Sequence, residues 1–395
     1  MPLLVLAITA MLIQQTIATT AKVGLPALFV PIAMELGFDA EYVLVYTWVY
    51  AVFSLCVMAA CGGVIRRLGA LRTSQIGCVM MAAGLAVAAV MASPGLVVVA
   101  LGFGVLLISF GSTVATPASS QILAAYAPPK WAPLVFSIKQ TGVPAGVAIS
   151  GIILVPLAAT HGWRITTIGL ALVCLMIAVI LQPLRAEFDR DRDPNARPRL
   201  VDFVINVRDV LSVFERRAMA MAAFTFVGMQ AIYTNFTITY LHEELNFGYE
   251  TAGEILGVAT LLAVPARIFW GWVGSALIQP RALLAALAVI MAASTALIGA
   301  FDPHWSHAAV LAVNCAVGLS VLSWHGVLLS EAARLAPAGE AGRMTGGILA
   351  FGSAGQIIYP AIFGAGYWLG GYGLAYVAIG LPAAVVGAIL ILRRR

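Results

Sequence analysis

Long apolar runs dominate this chain of 395 residues and limit its possible folds more than any other feature. A helix needs about 20 apolar residues to cross a bilayer, whereas a barrel strand needs only about ten. The runs are all long enough for helices, so the sequence predicts an all-α integral membrane protein with twelve transmembrane helices. The predicted spans are residues 3–34, 42–64, 72–93, 96–126, 131–158, 162–184, 215–241, 250–278, 281–301, 307–335, 342–369 and 371–392.

The composition excludes the other main classes of protein. Hydrophobic residues make up 62% of the chain and charged residues only 10%, against about 25% charged in soluble domains. A disordered chain has the opposite bias. The five cysteines all lie within apolar runs without a CxxC pair, which indicates packing residues and not a disulfide framework or a metal site.

The positive charges predict the orientation of the chain. With the N-terminus inside, 18 of the 22 Lys and Arg residues fall in cytoplasmic segments, and only Arg164 falls in an outer loop. This asymmetry predicts a multi-pass plasma membrane protein with both termini in the cytoplasm. Because most of the net charge of +5 follows from topology, we expect no nucleic-acid partner. The short loops and the lack of glycosylation sequons in the outer loops favour a bacterial inner membrane.

Residues 185–214 form the one long charged stretch and predict a cytoplasmic linker between two halves, 1–184 and 215–395. Within the linker, Leu200, Val204 and Leu211 keep helical spacing on the side opposite Asn206. This pattern favours an amphipathic helix on the inner membrane surface. The alternative is a solvated linker with a chance periodicity.

An internal repeat relates the two halves. At an offset of 209 residues, Glu35-Leu36-Gly37-Phe38 aligns with Glu244-Leu245-Asn246-Phe247, Gly62 with Gly271, and Gly162-Trp163 with Gly371-Tyr372. The three matches fall at equivalent points of the predicted topology. The sequence therefore predicts two six-helix, pseudo-symmetric halves in parallel repeat.

This arrangement resembles the major facilitator superfamily across essentially the whole chain. The family's Gly-x-x-x-Asp-Arg-x-Gly-type loop after the second span corresponds here to Gly62, Arg66, Arg67 and Gly69, with Arg66 in place of the aspartate. The second copy begins at Gly271 and carries Ser275 at the acidic position. The resemblance implies transport by alternating access, with these loop residues at the inner gate and without the family's acidic gate contact.

Three cations remain within the spans: Lys22, Lys139 and Arg267. Each costs about 2.5–3.5 kcal/mol on insertion scales, so the three together cost roughly 7–11 kcal/mol. No acid lies deep in a span to pair with them. Because the repeat aligns them with Ala231, Ile348 and Met58, the scaffold does not require a cation at these positions. We interpret them as ligands of an anionic substrate. The alternatives are snorkelling lysines and an arginine that caps carbonyls exposed by Pro265.

The region around Arg267 resembles span 8 of the oxalate–formate antiporter branch, which implies that Arg267 binds a substrate carboxylate. Monocarboxylate transporters similarly pair a span-8 arginine with a span-1 lysine, as Arg267 and Lys22 would be paired here. The segment around Lys139 is more similar to cyanate-permease-type members.

Several other polar residues within the spans are candidates for the site. We expect Gln15, Gln140, Gln230, Tyr233, Gln356 and Tyr359 to contact the substrate, although such residues also bond across helices. Proton coupling could use His325 or Glu254. A core histidine is the alternative for His325.

The combined prediction is a secondary active transporter that moves a small anion, most simply a monocarboxylate, by proton symport or anion exchange. A multidrug or metabolite efflux pump is the first alternative, and a non-transporting membrane receptor or scaffold is the alternative from another class. The chain contains no catalytic set typical of an enzyme. We expect no cofactor or metal, a lipid environment, and a monomer.

Overall fold

A computed structural model describes residues 2–39, 42–196 and 202–392, and within these ranges the chain contains helices and connecting loops but no strand. The α-helices are α1 (Pro2–Ala27), α2 (Phe29–Leu36), α3 (Val43–Leu68), α4 (Ala70–Met91), α5 (Val97–Tyr126), α6 (Ala132–Gln140), α7 (Gly142–Ile149), α8 (Val155–His161), α9 (Trp163–Ile180), α10 (Arg185–Phe188), α11 (Asp202–Ser212), α12 (Phe214–Glu243), α13 (Tyr249–Ala276), α14 (Pro280–Gly299), α15 (His307–Ser320), α16 (His325–Arg334) and α17 (Ala341–Leu392).

The helices account for the twelve predicted spans. Ten helical segments of the described chain are long and apolar enough to cross a membrane. One of these, in α17, contains two spans, because the helix is interrupted at Gly370 and Gly371. The 30-residue α12 supplies the remaining span. The prediction of an all-α fold with twelve membrane-spanning helices is confirmed.

The chain folds into two compact units, and each is assembled from segments that are not consecutive in the sequence. Unit 1 consists of Met1–Ala127, Lys139–Asp209 and Ala333–Ala350, and unit 2 of Pro128–Ile138, Val210–Ala332 and Phe351–Arg395. Each unit therefore includes a short segment from the opposite half of the sequence. Both segments lie at helix ends that the charge distribution predicts to be cytoplasmic, called inner ends below.

The internal repeat reappears in the backbone conformation. Gly37 ends α2 with a φ of 72°, and its repeat partner Asn246 has a φ of 57°. Gly162 and its repeat partner Gly371 have φ values of 81° and 70°. Left-handed backbone favours glycine, and asparagine is among the few other residues that tolerate it. The repeat therefore reflects equivalent chain reversals in the two halves and not only similar residue types.

A second equivalent contact lies at the outer end of each half. The indole of Trp163 donates a hydrogen bond to Glu35 at 2.5 Å, and the hydroxyl of Tyr372 donates one to Glu243 at 3.0 Å. Trp163 and Tyr372 are repeat partners. Each half thus joins its sixth span to the end of its first span through an aromatic donor and a carboxylate.

Three predicted spans are not single helices. The first is divided between α1 and α2 after Pro26, whose ring nitrogen cannot donate a helical hydrogen bond. The fifth comprises α6, α7, a π-helical turn at Ser150–Leu154 and α8. The tenth is interrupted between Ser320 and His325. Apolar runs predict the length of a span but not these interruptions.

Two glycine pairs bring α4 and α5 into close contact. A Cβ atom at Gly84 would lie 2.6 Å from the carbonyl oxygen of Gly104, and one at Gly104 would lie 2.9 Å from that of Gly84. Gly77 and Gly111 form an equivalent pair seven residues along each helix. In a membrane, where apolar side chains gain little by leaving lipid, close backbone approach at small residues is a main source of helix association.

An acidic residue of the linker, Asp189, lies at the loop between α3 and α4, which has no acidic residue of its own. Asp189 is 5% exposed, and its carboxylate accepts hydrogen bonds from the backbone N–H groups of Leu71 at 2.7 Å and Arg72 at 3.1 Å. These donors lie in the first turn of α4, where helical N–H groups have no intrahelical partner. Burial raises the pKa of Asp189, and the two backbone hydrogen bonds act in the opposite direction. The linker carboxylate therefore caps α4 from a distant part of the chain.

Replacement of Asp189 by alanine should lower the free energy of unfolding by about 1–2 kcal/mol, because lost caps cost that much. Thermal melting of the purified protein measures the change. Asp193→Ala is the matched control, because its ion pair with Arg66 is at 3.2 Å but partly exposed and should contribute only about 0–1 kcal/mol. Equal losses in the two variants would contradict the capping role.

The linker also contains the predicted amphipathic helix, as α11. Val204 and Leu211 are 60% and 41% exposed, whereas Asn206 is buried and donates to the carbonyl oxygens of Ala59 and Arg343 at 3.1 and 3.2 Å. The side with Val204 and Leu211 is thus exposed, and the side with Asn206 and the buried Val210 packs on the protein. Leu200 lies outside the described residues, and the position of the helix on a membrane surface stays a prediction.

Candidate functional site

Lys139 is the most deeply buried cation among the described residues of unit 1. It lies in the last turn of α6, and its side chain is 1% exposed. The ammonium donates hydrogen bonds to the amide oxygens of Gln15 at 2.6 Å and Gln140 at 3.3 Å. Both partners are neutral, and no carboxylate of the described chain pairs with Lys139. The structure therefore brings together three residues that the sequence analysis selected separately.

Gln15 orients this cluster. Its amide oxygen also accepts a hydrogen bond from the hydroxyl of Thr116 at 3.1 Å, and its amide nitrogen lies 3.5 Å from the hydroxyl of Thr19. Lys139 reaches Gln15 because α7, which follows it, packs closely on α1. A Cβ atom at Gly146 would lie 2.5 Å from the carbonyl oxygen of Thr16. The glycines beside Lys139 thus position the lysine through helix packing.

Gln14 is a candidate that the sequence analysis missed. It is fully buried, and neither its amide nitrogen nor its amide oxygen has a hydrogen-bond partner among the described residues. An unsatisfied buried polar group costs about 1–3 kcal/mol. Its neighbour Gln15 shares a helical face with Lys22 at a spacing of seven residues, and Gln14 does not lie on that face. An unpaired polar group becomes visible only when the packing is known.

Lys22 lies in unit 1 but is not bonded to the Lys139 cluster. It is half-buried, and its ammonium lies 5.0 Å from the centre of the Tyr50 ring. The Tyr50 hydroxyl in turn lies 2.8 Å from the hydroxyl of Ser112. A cation above an aromatic face is stabilised by about 0.5–2 kcal/mol. Lys22 therefore has a local partner that the sequence analysis did not identify.

Arg267, in unit 2, lies beside the interruption of the tenth span. It is 3% exposed, and its Nε donates to the carbonyl oxygen of Leu322 at 3.0 Å. Leu322 lies between α15 and α16, where carbonyl groups lose their helical partners. Backbone of this kind, lining sites near the membrane midplane, is common in transporters.

The residues that follow this interruption are large and well packed. Trp324 is fully buried, and its ring stacks on that of His325 at 3.9 Å and meets the edge of Phe226 at 5.3 Å. His325, a candidate for proton coupling, thus begins α16 three residues after Leu322. The other candidate, Glu254, is exposed on α13.

The remaining substrate candidates have mixed environments. Tyr233 is fully buried and donates to the side-chain oxygen of Asn314 at 2.9 Å. The amide oxygen of Gln230 is buried without a hydrogen-bond partner in the described part of unit 2. Tyr359 is fully buried against Phe224, and Gln356 is half-buried one turn before it. Tyr233 and Tyr359 therefore contribute to helix packing.

Two of the predicted gating residues, Gly62 and Gly271, each contact the short segment of their own unit that comes from the opposite half of the sequence. A Cβ atom at Gly62 would lie 2.5 Å from Cγ of Arg343, and one at Gly271 would lie 2.5 Å from Cβ of Ser137. The nitrogen Nη1 of Arg66 lies 3.9 Å from Glu340, whereas Arg67 is exposed. Gly69 has a φ of 96° and adjoins Asp189.

A further residue at these inner ends was not predicted. The side chain of Gln121 accepts a hydrogen bond from the N–H group of Gly342, at the start of α17, at 2.8 Å. The same side chain donates to the carbonyl oxygen of Gly339 and to Asp191. An amide can thus fill the place of an acidic gate contact, because it both accepts from and donates to the backbone. Residue type alone did not indicate this role.

The described residues contain no group of three or more His, Cys, Asp or Glu side chains that could hold a metal ion.

Comparison with known proteins identifies the family and the fold. The family model described as Major Facilitator Superfamily matches residues 3–333. No curated protein sequence matches the chain significantly.

Among solved structures, the fucose:proton symporter of E. coli is 16% identical, with a TM-score of 0.75 and 98% of both chains covered. A bacterial homologue of the iron transporter ferroportin is 12% identical, with a TM-score of 0.79 and 98% of both chains covered. A human organic anion transporter is 14% identical, with a TM-score of 0.76, and covers 97% of this chain and 98% of its own. At these identities the likeness shows a shared fold.

Proposed function

Because the chain belongs to the Major Facilitator Superfamily, we propose that it is a secondary transporter for a small anion, most simply a monocarboxylate. The family model does not distinguish among substrates. The similar structures are named for sugar, iron and organic anion transport. The choice of an anion therefore rests on the residues of this chain.

The environment of Lys139 carries the proposal. Its ammonium is 1% exposed and is bonded to two neutral amide oxygens. A buried charge normally requires an opposite charge or several strong hydrogen bonds. A substrate carboxylate would supply the missing negative charge. The amide groups of Gln15 and Gln140 would hold the ammonium in position in the absence of substrate.

Arg267 is the second cation that we assign to substrate binding. Its guanidinium is buried and has five N–H donors, and Nε donates to the carbonyl oxygen of Leu322. Guanidinium groups bind carboxylates with two parallel hydrogen bonds. Lys22, Gln230 and Gln356 are assigned to the polar surroundings of the substrate in their own units.

Uptake into proteoliposomes tests the proposal. Formate, lactate and oxalate are compared with the neutral sugar L-fucose and the cation tetraphenylphosphonium. We expect the wild-type protein to transport at least one anion, and Lys139→Gln and Arg267→Gln each to lower its initial rate at least tenfold. A hydrogen bond to a charged group contributes about 1.5–3 kcal/mol, and about 1.4 kcal/mol corresponds to a factor of ten.

Matched controls are available outside the spans. Lys130 and Arg208 are exposed, so Lys130→Gln and Arg208→Gln remove the same charges and should leave the rate unchanged. Anion uptake that is unaffected in both folded test variants would refute the assignment. Uptake of tetraphenylphosphonium alone would favour the efflux pump, and binding without any transport would favour the receptor or scaffold.

Coupling to a proton or to a counter-anion is the next step of the proposal. His325 lies near the contact between Arg267 and Leu322, whereas Glu254 is exposed. An imposed pH gradient across the same vesicles distinguishes the two modes, because only proton symport responds to it directly. Anion exchange instead requires a loaded internal anion.

The contacts of the inner ends support alternating access as the mechanism. Gly62 and Gly271 are repeat partners, and each allows close approach of a helix end from the opposite half of the sequence. We assign the inner gate to these contacts, with Gln121 and the linker acids in place of the missing loop aspartate. The bacterial inner membrane, the cytoplasmic termini and the monomeric state remain part of the proposal.

A further inference from the structure

An apolar groove of about 590 Å³ lies in unit 2 between α12 and the second span within α17. Its lining comes from both helices, from Phe351 in the first span within α17 and from the end of α11. The lining residues are Leu211, Arg217, Ala220, Met221, Phe224, Thr225, Phe351, Ala378, Leu381, Pro382, Val385 and Val386. Leu381 and Val385 are 61% and 55% exposed, so the groove faces the surroundings of the protein, which in a membrane are lipid.

The groove has one charged end. Arg217 is its sole charged lining residue and lies in the first turn of α12. Thr225 is eight residues further along, which places it about 12 Å deeper at 1.5 Å per residue. This geometry corresponds to an apolar channel that runs from the predicted cytoplasmic surface toward the membrane interior, with a cation at the level of the lipid headgroups.

A second arginine lies next to this end. The guanidinium carbons of Arg217 and Arg281 are 5.8 and 5.9 Å from the centre of the Phe214 ring. The two groups are therefore no more than about 12 Å apart. Nε of Arg281 donates to the carbonyl oxygen of Leu390 at 3.1 Å, whereas its Nη2 is buried without a hydrogen-bond partner in the described chain.

No carboxylate among the described residues forms an ion pair with Arg217 or Arg281. The linker and loop arginines Arg66, Arg164, Arg185, Arg190 and Arg343 all have such partners. Two unpaired cations beside an apolar groove match a ligand with an anionic head and a hydrocarbon tail. Basic pockets between membrane helices on the cytoplasmic side bind acidic lipid headgroups.

We propose that this groove is a binding site for an anionic phospholipid. The phosphate lies between Arg217 and Arg281, and Nη2 of Arg281 gains its missing acceptor. One acyl chain follows the groove along Ala220, Phe224 and Ala378. A free phosphate ion would use the arginines but not the apolar channel, and a zwitterionic lipid would use the channel but would bring a cation to the arginines.

Native mass spectrometry of the purified full-length protein tests the site. Dioleoyl phosphatidylglycerol and dioleoyl phosphatidylcholine are titrated separately, and the dissociation constant of the first bound lipid is measured. We expect phosphatidylglycerol to bind more tightly. Arg217→Gln and Arg281→Gln should each weaken it about fivefold, the factor for a single arginine near an anionic headgroup, and should leave phosphatidylcholine unchanged.

Two other variants complete the test. Ala378→Phe, which fills the groove without changing charge, should weaken both lipids. Arg208→Gln removes an exposed arginine outside the groove lining and should weaken neither. Because Arg217 is exposed, its replacement decides the question even if Arg281→Gln fails to fold. Equal affinity for the two lipids, unchanged binding in Arg217→Gln, or displacement by inorganic phosphate would overturn the proposal.

Discussion

Replacing Lys139 by methionine should raise the melting temperature of the protein and abolish its anion transport. Methionine keeps the length of the side chain and removes a charge that is 1% exposed. Replacing a buried ion pair by apolar residues of similar volume is often neutral or stabilising, by about 1–4 kcal/mol. The removal of Lys139 leaves no carboxylate unpaired, because its partners are amide oxygens. A residue retained for function at a cost in stability should behave in this way.

The partners of Lys139 make this variant informative. The amide oxygen of Gln15 also accepts a hydrogen bond from Thr116 at 3.1 Å, so it keeps a donor after the ammonium is removed. The substitution therefore does not leave that oxygen unsatisfied, which would otherwise cost about 1–3 kcal/mol. The change in stability then reports the removed charge together with the lost hydrogen bond to Gln140, which is long at 3.3 Å.

Melting curves with and without the transported anion measure the effect. The wild-type protein should be stabilised by the anion, because a ligand that binds only the folded state shifts its stability, and Lys139→Met should show no such shift. Lys130→Met is the control, because its ammonium is exposed above Trp131 and should change stability by no more than about 1 kcal/mol. A marked loss of stability in Lys139→Met would indicate that the lysine is structural.

Replacing Gly111 by alanine should lower the free energy of unfolding by about 3 kcal/mol or more. A Cβ atom at this position would overlap the carbonyl oxygen of Gly77 on α4 and would lie 2.6 Å from Cγ of Met81. Backbone cannot move aside as a flexible side chain does, so α4 and α5 must separate. Overpacking of this kind typically costs about 1–3 kcal/mol and occasionally more.

Gly102 provides a matched control on the same helix. A Cβ atom there would have no atom within 4 Å, so Gly102→Ala should be neutral or stabilise α5 by about 0.4–1 kcal/mol through reduced freedom of the unfolded chain. Chemical denaturation in detergent micelles measures both variants. If the two alanines lower stability equally, the close contact of α4 and α5 does not contribute to the fold.

The candidate site was only partly predictable from the sequence. Lys139 and Arg267 could be selected because charges are costly in a membrane wherever they lie. Their partners could not, since Gln15 is 124 residues from Lys139 and Leu322 is an apolar residue that contributes only its backbone carbonyl. Gln14 and Gln121 were not predicted, because the position of a glutamine in a helical sequence does not show whether its side-chain amide has a hydrogen-bond partner.

The predicted inner gate was likewise only partly predictable from the sequence. Arg66 and Ser275 visibly stand where the family has an acid. That Asp189, 118 residues from Leu71, caps the helix after this loop depends on the fold and is not visible in the motif. The loop between α3 and α4 lacks the aspartate of the motif, but a carboxylate from a distant part of the chain lies beside it in the structure.

The number of spans, their predicted orientation and the repeat of two halves could be read from the order of residues alone. These properties depend on the apolar character and charge of consecutive residues relative to a bilayer of constant thickness, which is a local condition. The packing of the helices, in contrast, was needed to show which of the 38 glycines allow helices to meet, where the tenth span is interrupted, and which groups surround each cation. These properties depend on which helix faces come together, and residues far apart in the chain determine that jointly.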